Sequence, residues 1–322
     1  MLGYGAGMSE MAEIPAISDN VESVVSAELA HGDGVLGTVA PILRHLIASD
    51  DRALFGEEPI ARVRGMLGDL ARQLLEAPLT EPLDEAQDPA RVAVLLTGFF
   101  EIPGMLGHVH ALALEGQLAE RLHSRLALDP VLPPLLQVLI ASPDAPTAAS
   151  VMNLLAAQAR FIQTQRRMQL PLTELPGDLL HGALLVMRTH AAADDRASAA
   201  EAEIRARYDE SRSRLGLIAR LVTGMGAGAV AALSVTHAGV AIFATALALA
   251  SGQDRDLAVL STNETQLARL ALALRAAGVK VPGIEEQFLA LHPEVALPEG
   301  FDRLGPDRAA AMLARSAVRA GG

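Results

Sequence analysis

Apolar side chains recur three and four positions apart along most of this chain, which is the spacing of one face of an α-helix. Ile60, Val63, Leu67, Leu70 and Leu74 form one such stripe behind Pro59, a residue suited to a first helical turn. The same periodicity predicts helices over about 104–126, 132–141 and 146–168, where Val151, Leu154, Leu155 and Ile162 share a face. Leu180, Ala183, Leu184 and Met187 mark another, with Asp178 as its expected N-cap. Asn263 and Gln266 have capping-box spacing ahead of Leu267, Leu270, Ala271 and Leu274, and Gly278 is placed to end that helix as a C′ glycine. A short helix with Phe288 and Leu291 follows, and 306–318 is a candidate final helix. Strand-like alternation of β-branched and aromatic residues is scarce. The fold class expected is all-α.

Residues 41–51 read PILRHLIASDD and residues 134–144 read PLLQVLIASPD. Each copy predicts a Pro-started short helix, a Ser/Asp turn and a longer amphipathic helix. Such a pair cannot bury its apolar face alone, so the pairs are expected to stack as a HEAT-like α-solenoid. The expected organisation is a disordered tail over 1–14, an N-terminal helical region over 15–145, a C-terminal helical-repeat domain over 146–292, and a tail over 293–322. Residues 77–90 carry three prolines and several acids and read as a linker. Residues 194–214 mix both charge signs and read as a solvated helix with i,i+4 pairs.

From 221 to 253 there is no Asp, Glu, Lys or Arg. The run is long enough for a membrane span. Gly224, Gly226, Gly228, Ser234, Thr236 and Gly239 dilute its hydropathy, and no aromatic belt flanks it. Two short buried helices meeting at 236–239, near His237, are expected, with membrane association as the alternative. Residues 224–229 also fit G-x-G-x-x-A, the glycine turn of a dinucleotide site, but no acidic residue stands some 20 positions on and the βαβ setting is missing.

Composition narrows the chemistry. Just over half of the residues are apolar, mostly Ala, Leu and Val, so a large core is available. The net charge of −12 argues against non-specific nucleic-acid binding. The absence of cysteine removes thiol nucleophiles, disulfides and Cys-based zinc sites together, and fits a cytoplasmic protein. No G-x-S-x-G elbow and no Walker A sequence occur. His108 and His110 form an H-x-H pair, but on a helix residues two apart point in different directions, so no metal site is expected. Glu115 and Arg121 read as surface residues. Arg160, Gln163, Arg166 and Arg167, beside Phe161, form a basic cluster suited to a partner protein. No catalytic residue, cofactor or metal is assigned. The function expected is that of a non-enzymatic interaction or scaffold protein. The alternatives are a peripheral or integral membrane-associated protein through 221–253, and a ligand-binding protein or enzyme using His108, His110 or the glycines at 224–229.

The run LIARLVTGMGAGAVAALSVTHAGVAIFATALALASGQ, with Leu260, the helix around 267–274, Ala277-Gly278-Val279 and Phe288, resembles an uncharacterised alphaproteobacterial family with HEAT-like helical repeats. LDPVLPPLLQVLIAS and AAQARFIQTQRRMQLPLTELPGDLLH are similar to its members from sphingomonad-like bacteria. The resemblance covers about 128–292. It implies a soluble helical solenoid and supplies no catalytic residues. The chain departs from that family at 226–232 and 239–241, where members tend to carry polar or charged residues.

Overall fold

The computed structural model describes residues 17–48, 58–77, 88–190 and 195–316. Every regular element among them is helical. Helices α1 (Ile17–Ala48), α2 (Glu58–Glu76) and α3 (Asp88–Phe99) lead into the long α4 (Met105–Leu126). A short α5 (Pro134–Ile140) precedes α6 (Ala145–Arg166), α7 (Gly177–His190), α8 (Asp195–Arg207) and α9 (Arg214–Gly224). The chain continues through α10 (Val235–Ser251), α11 (Arg255–Leu260), α12 (Leu267–Ala276), α13 (Val281–Leu291) and α14 (Pro306–Arg315). The expected tail at 1–14, the turn residues Ser49 and Asp51, and 78–87 of the expected linker lie outside the described residues.

The helices do not only meet their neighbours in sequence. α4 packs on α2 and also on α11, α1 packs on α12, and α3 on α7. A repeat stack requires contacts between successive units alone, whereas here helices far apart in sequence cross. The two repeat copies also differ. Pro134 opens α5, as expected, but Pro41 lies inside the 32-residue α1. Pro41 therefore starts no helix, and the turn that follows the first copy lies outside the described residues.

Two large apolar clusters fill the interior of the described residues. One gathers around α10, with Phe243 and Leu247 fully buried against Ile218, Leu270 and Ile284. The other joins α2, α3, α4 and α7 through Met66, Leu70, Phe99, Val109 and Leu184. Each such side chain removed from water contributes roughly 1.5–3 kcal/mol. α4 serves both: Leu118 and Leu122 face the first, Met105 and Leu112 the second. The expected division at 145/146 falls in the first turn of α6, which packs on α5, and both clusters draw on residues from either side of it.

The uncharged run folds into three pieces: the end of α9, a 3-10 helix (Gly226–Leu233) and α10. Breaks fall at 225 and 234, and a further one at Gly239, within the expected 236–239. The backbone leaves helical geometry at Gly239, where φ is 75° and ψ 162°, and α10 is kinked there. Pro133 sits so close there that a Cβ would lie 3.1 Å from its Cγ. α10 is mostly buried but exposes Leu249 near its end, and the 3-10 helix exposes Val230. No single described helix is long and apolar enough to cross a membrane. α9 and the 3-10 helix reach that length and composition only together, bent by 118°. Gly224, Gly226 and Gly228 lie on this exposed helical surface with no strand before them, so the βαβ setting of a dinucleotide turn is not formed.

Three local expectations change. Asp178 lies in the first turn of α7 instead of capping it. Asn263 accepts from Thr265 N at 3.1 Å and caps a 3-10 turn (Glu264–Gln266). Gln266 completes no capping box because its amide turns inward, donating to Gly32 O at 2.7 Å. Gly278, with φ 83°, follows α12 as expected.

Candidate functional site

His108 and Glu115 stand seven positions apart on α4, two turns along one face. That face meets α10 and α11 through Ala111, Ala244 and Val259, all essentially fully buried. These small contacts let α11 approach α4, and the polar residues flanking them are drawn inside.

Glu115 is 2% exposed. Its Oε1 accepts from Arg214 Nη1 at 2.5 Å, and its Oε2 accepts from Arg214 Nη2 at 3.2 Å and from Arg255 Nη2 at 2.5 Å. Burial pushes this carboxyl up, but the two guanidinium groups outweigh burial and hold it down at about 2. The reading of Glu115 as a surface residue is therefore corrected. Its position among Leu112, Ala119 and Leu122 on the buried stripe is the sequence signal that was available. Arg121 is exposed, as expected.

Arg214 opens α9 and is 1% exposed. Its guanidinium lies 3.5 Å from the centre of the Phe161 ring, and Nη1 also reaches Gln158 Oε1 at 3.3 Å. Its backbone N–H donates to Glu174 Oε2 at 3.0 Å. Burial raises the pKa of Glu174 despite the nearby Arg214 charge. Arg255 Nε donates to Thr245 Oγ1 at 3.1 Å.

One step toward the start of α4, His108 Nδ1 lies 2.8 Å from Asp256 Oδ2. The carboxylate orients the ring through Nδ1 and turns Nε2 away from it. Nε2 is buried and has no partner among the described residues, and the same holds for Arg255 Nη1. Asp256 is itself mostly buried. Burial pushes its carboxyl up, yet His108 and Arg255 together hold it below the usual range.

His108, Arg255 and Asp256 line a cleft of roughly 430 Å³ between the N-terminal ends of α4 and α7 and the start of α11. Pro103, Pro176, Leu179 and Leu215 form its apolar walls, and Asp178 and Asp254 are exposed on it.

The H-x-H pair is split as helical geometry requires. His110 is largely buried away from Asp256, its Nδ1 has no partner, and burial lowers its pKa to about 4. Among the described residues, no group of three His, Asp or Glu side chains converges as a metal would need. Arg160, Gln163, Arg166 and Arg167 are exposed on the C-terminal half of α6, whereas Phe161 and Gln165 between them turn inward. They do not line the cleft. Sequence reasoning passed over Arg214, Arg255 and Asp256. Arg214 ends a segment read as solvated, and α8 within that segment does carry the expected i,i+4 pairs, Arg205–Glu201 and Arg207–Glu203. Compared with protein-family models, curated proteins and solved structures, the chain matches none.

Proposed function

We propose that this protein binds a small polar molecule in the cleft beside His108. The observation that carries the reading is a cleft of ligand size lined by the hydrogen-bonded pair His108 and Asp256 and by Arg255. Buried polar atoms are ordinarily hydrogen-bonded, and Nε2 of His108, buried beside the cleft, has no such partner among the described residues. Glu115, Arg214 and Arg255 fix the floor on which His108 and Asp256 stand. The test is a thermal-shift screen of small metabolites followed by calorimetry. A saturable rise in Tm is expected for the protein, absent in His108→Gln and Asp256→Asn variants that keep their helical circular-dichroism spectra. A screen in which no compound gives such a rise overturns the proposal.

A second reading, a non-enzymatic interaction or scaffold role in the cytoplasm, is supported by the joint exposure of Arg160, Gln163, Arg166 and Arg167. This surface suits an acidic protein partner. The family resemblance and the HEAT-like description belong with this reading, with the α5–α6 pair as their local support. Capture by the wild type but not by an Arg160→Ala, Arg166→Ala, Arg167→Ala triple variant is expected. Equal capture by both removes it.

A further inference from the structure

We infer that α1 is a jointed helix whose N-terminal half is a strap, leaving α12 as a unit while the C-terminal half stays on α2.

The two halves dock on different parts of the molecule. Val21, Val25 and Leu29 pack into the cluster around α10, Leu43 and Ile47 into the cluster around α2. The buried stripe of α1 stops at Gly32 and resumes at Leu43, and from Gly34 to Ile42 no residue is buried. Over that same stretch the helix is weakest. Gly34 and Gly37 stand at interior positions, where glycine is the poorest helix former after proline. Beyond the helix's own backbone, no described residue comes within 4 Å of where a Cβ on either would stand, so packing does not call for glycine there. Gly32 differs, because a Cβ on it would meet the Gln266 side chain at 2.9 Å. Pro41 has no N–H and deprives the Gly37 carbonyl of its helical donor. Helix breakers and the gap in packing coincide, which makes 34–41 the joint.

Each half has its own ties. Gln266 Nε2 donates to Gly32 O at 2.7 Å, the Arg308 guanidinium donates to Glu22 Oε2 at 2.6 Å, and Arg269 pairs with Asp33. Ser316 joins that last contact, donating to Asp33 Oδ2 at 2.8 Å and accepting from Arg269 Nη2 at 2.7 Å. The other half is tied elsewhere, with Arg64 donating to Leu46 O at 2.7 Å. Opening at the joint breaks the first set and leaves the second. Helices draw most of their stability from packing, so undocking and unwinding of the strap go together. Undocking also takes Asp33 from Arg269, a cation that is 1% exposed while the strap is in place.

The experiment is native-state amide hydrogen exchange on the full chain. Amides over 21–32 are expected to exchange at least about tenfold faster than those over 43–47 and those of α12, as for a unit that opens before the whole. Ile47→Val is a mild change in the half that stays docked. It should speed exchange over 43–47 by about fivefold and leave 21–32 unchanged, because the strap opens without that contact. A Gly34→Ala, Gly37→Ala, Pro41→Ala triple variant places its new side chains in open or exposed positions. It should slow exchange over 21–32 by about tenfold, since the joint becomes good helix. Exchange over 21–32 as slow as in α12 overturns the strap. An equal response of 21–32 and 43–47 to Ile47→Val means that α1 opens as one piece and overturns the joint. A triple variant of unchanged helical circular dichroism that exchanges over 21–32 as fast as the wild type overturns the placement of the joint at 34–41.

Discussion

Glu115 and Arg214 are 99 residues apart in sequence and face each other in the interior, the Glu115 carboxylate accepting twice from the Arg214 guanidinium. Arg255 completes the cluster from a third helix. Two buried cations on one carboxylate make Glu115 the member whose loss exposes most charge. Glu115→Ala leaves both guanidinium groups without it in a low-dielectric setting. A loss of roughly 3–5 kcal/mol is expected, as for one partner removed from a buried pair. Urea unfolding followed by circular dichroism measures it. A loss below about 1 kcal/mol would mean that water reaches the cluster.

Arg214→Lys keeps the charge but not the planar fork that spans Glu115 and lies over Phe161. An ammonium cannot reproduce both contacts. A loss of about 2 kcal/mol is expected. Phe161→Leu should account for part of it, and the two changes should be sub-additive in a double-mutant cycle.

Acid should destabilise the fold in two stages. His110 has its pKa lowered by burial to about 4, against 6.5 for an ordinary histidine. Between those values the unfolded chain binds a proton that the folded chain refuses, so stability is full above about pH 6.5 and falls as pH drops toward 4. His292, also lowered by burial, acts in the same direction. Glu115 works lower: its contribution is present above about 4.5 and is lost as pH falls toward 2. Unfolding free energies measured from pH 7 to 3 should show both limbs. His110→Gln should flatten the first in part and leave the second.

Gly239→Ala places a side chain where φ is 75° and where Pro133 stands 3.1 Å from the new Cβ. Backbone strain of this kind costs about 1–3 kcal/mol, so Tm should fall. Pro133→Ala in the same chain should recover only the portion due to the contact, since the dihedral strain remains. Full recovery would assign the whole effect to packing.

Which helices form was legible in the chain. The stripe at Ile60–Leu74 positions, the run over 104–126 and the glycine at 278 all became what their spacing implied, because helix periodicity and caps are local properties. Where apolar spacing competed with a breaker, it won at Pro41 and lost at Gly239, and the local sequence gave no rule for choosing.

The candidate site belongs to the other kind of information. The sequence by itself determined an all-helical chain with a large apolar core, and it held one clue to the site, an acid on the buried stripe of α4. Tertiary structure alone decided that α11 packs on α4, that Asp256 turns Nδ1 of His108 toward itself, and that Arg214 and Arg255 share Glu115. The reason is physical. A helix is specified by contacts three and four residues apart, whereas a buried charge is specified by a partner that the chain brings from about a hundred residues away.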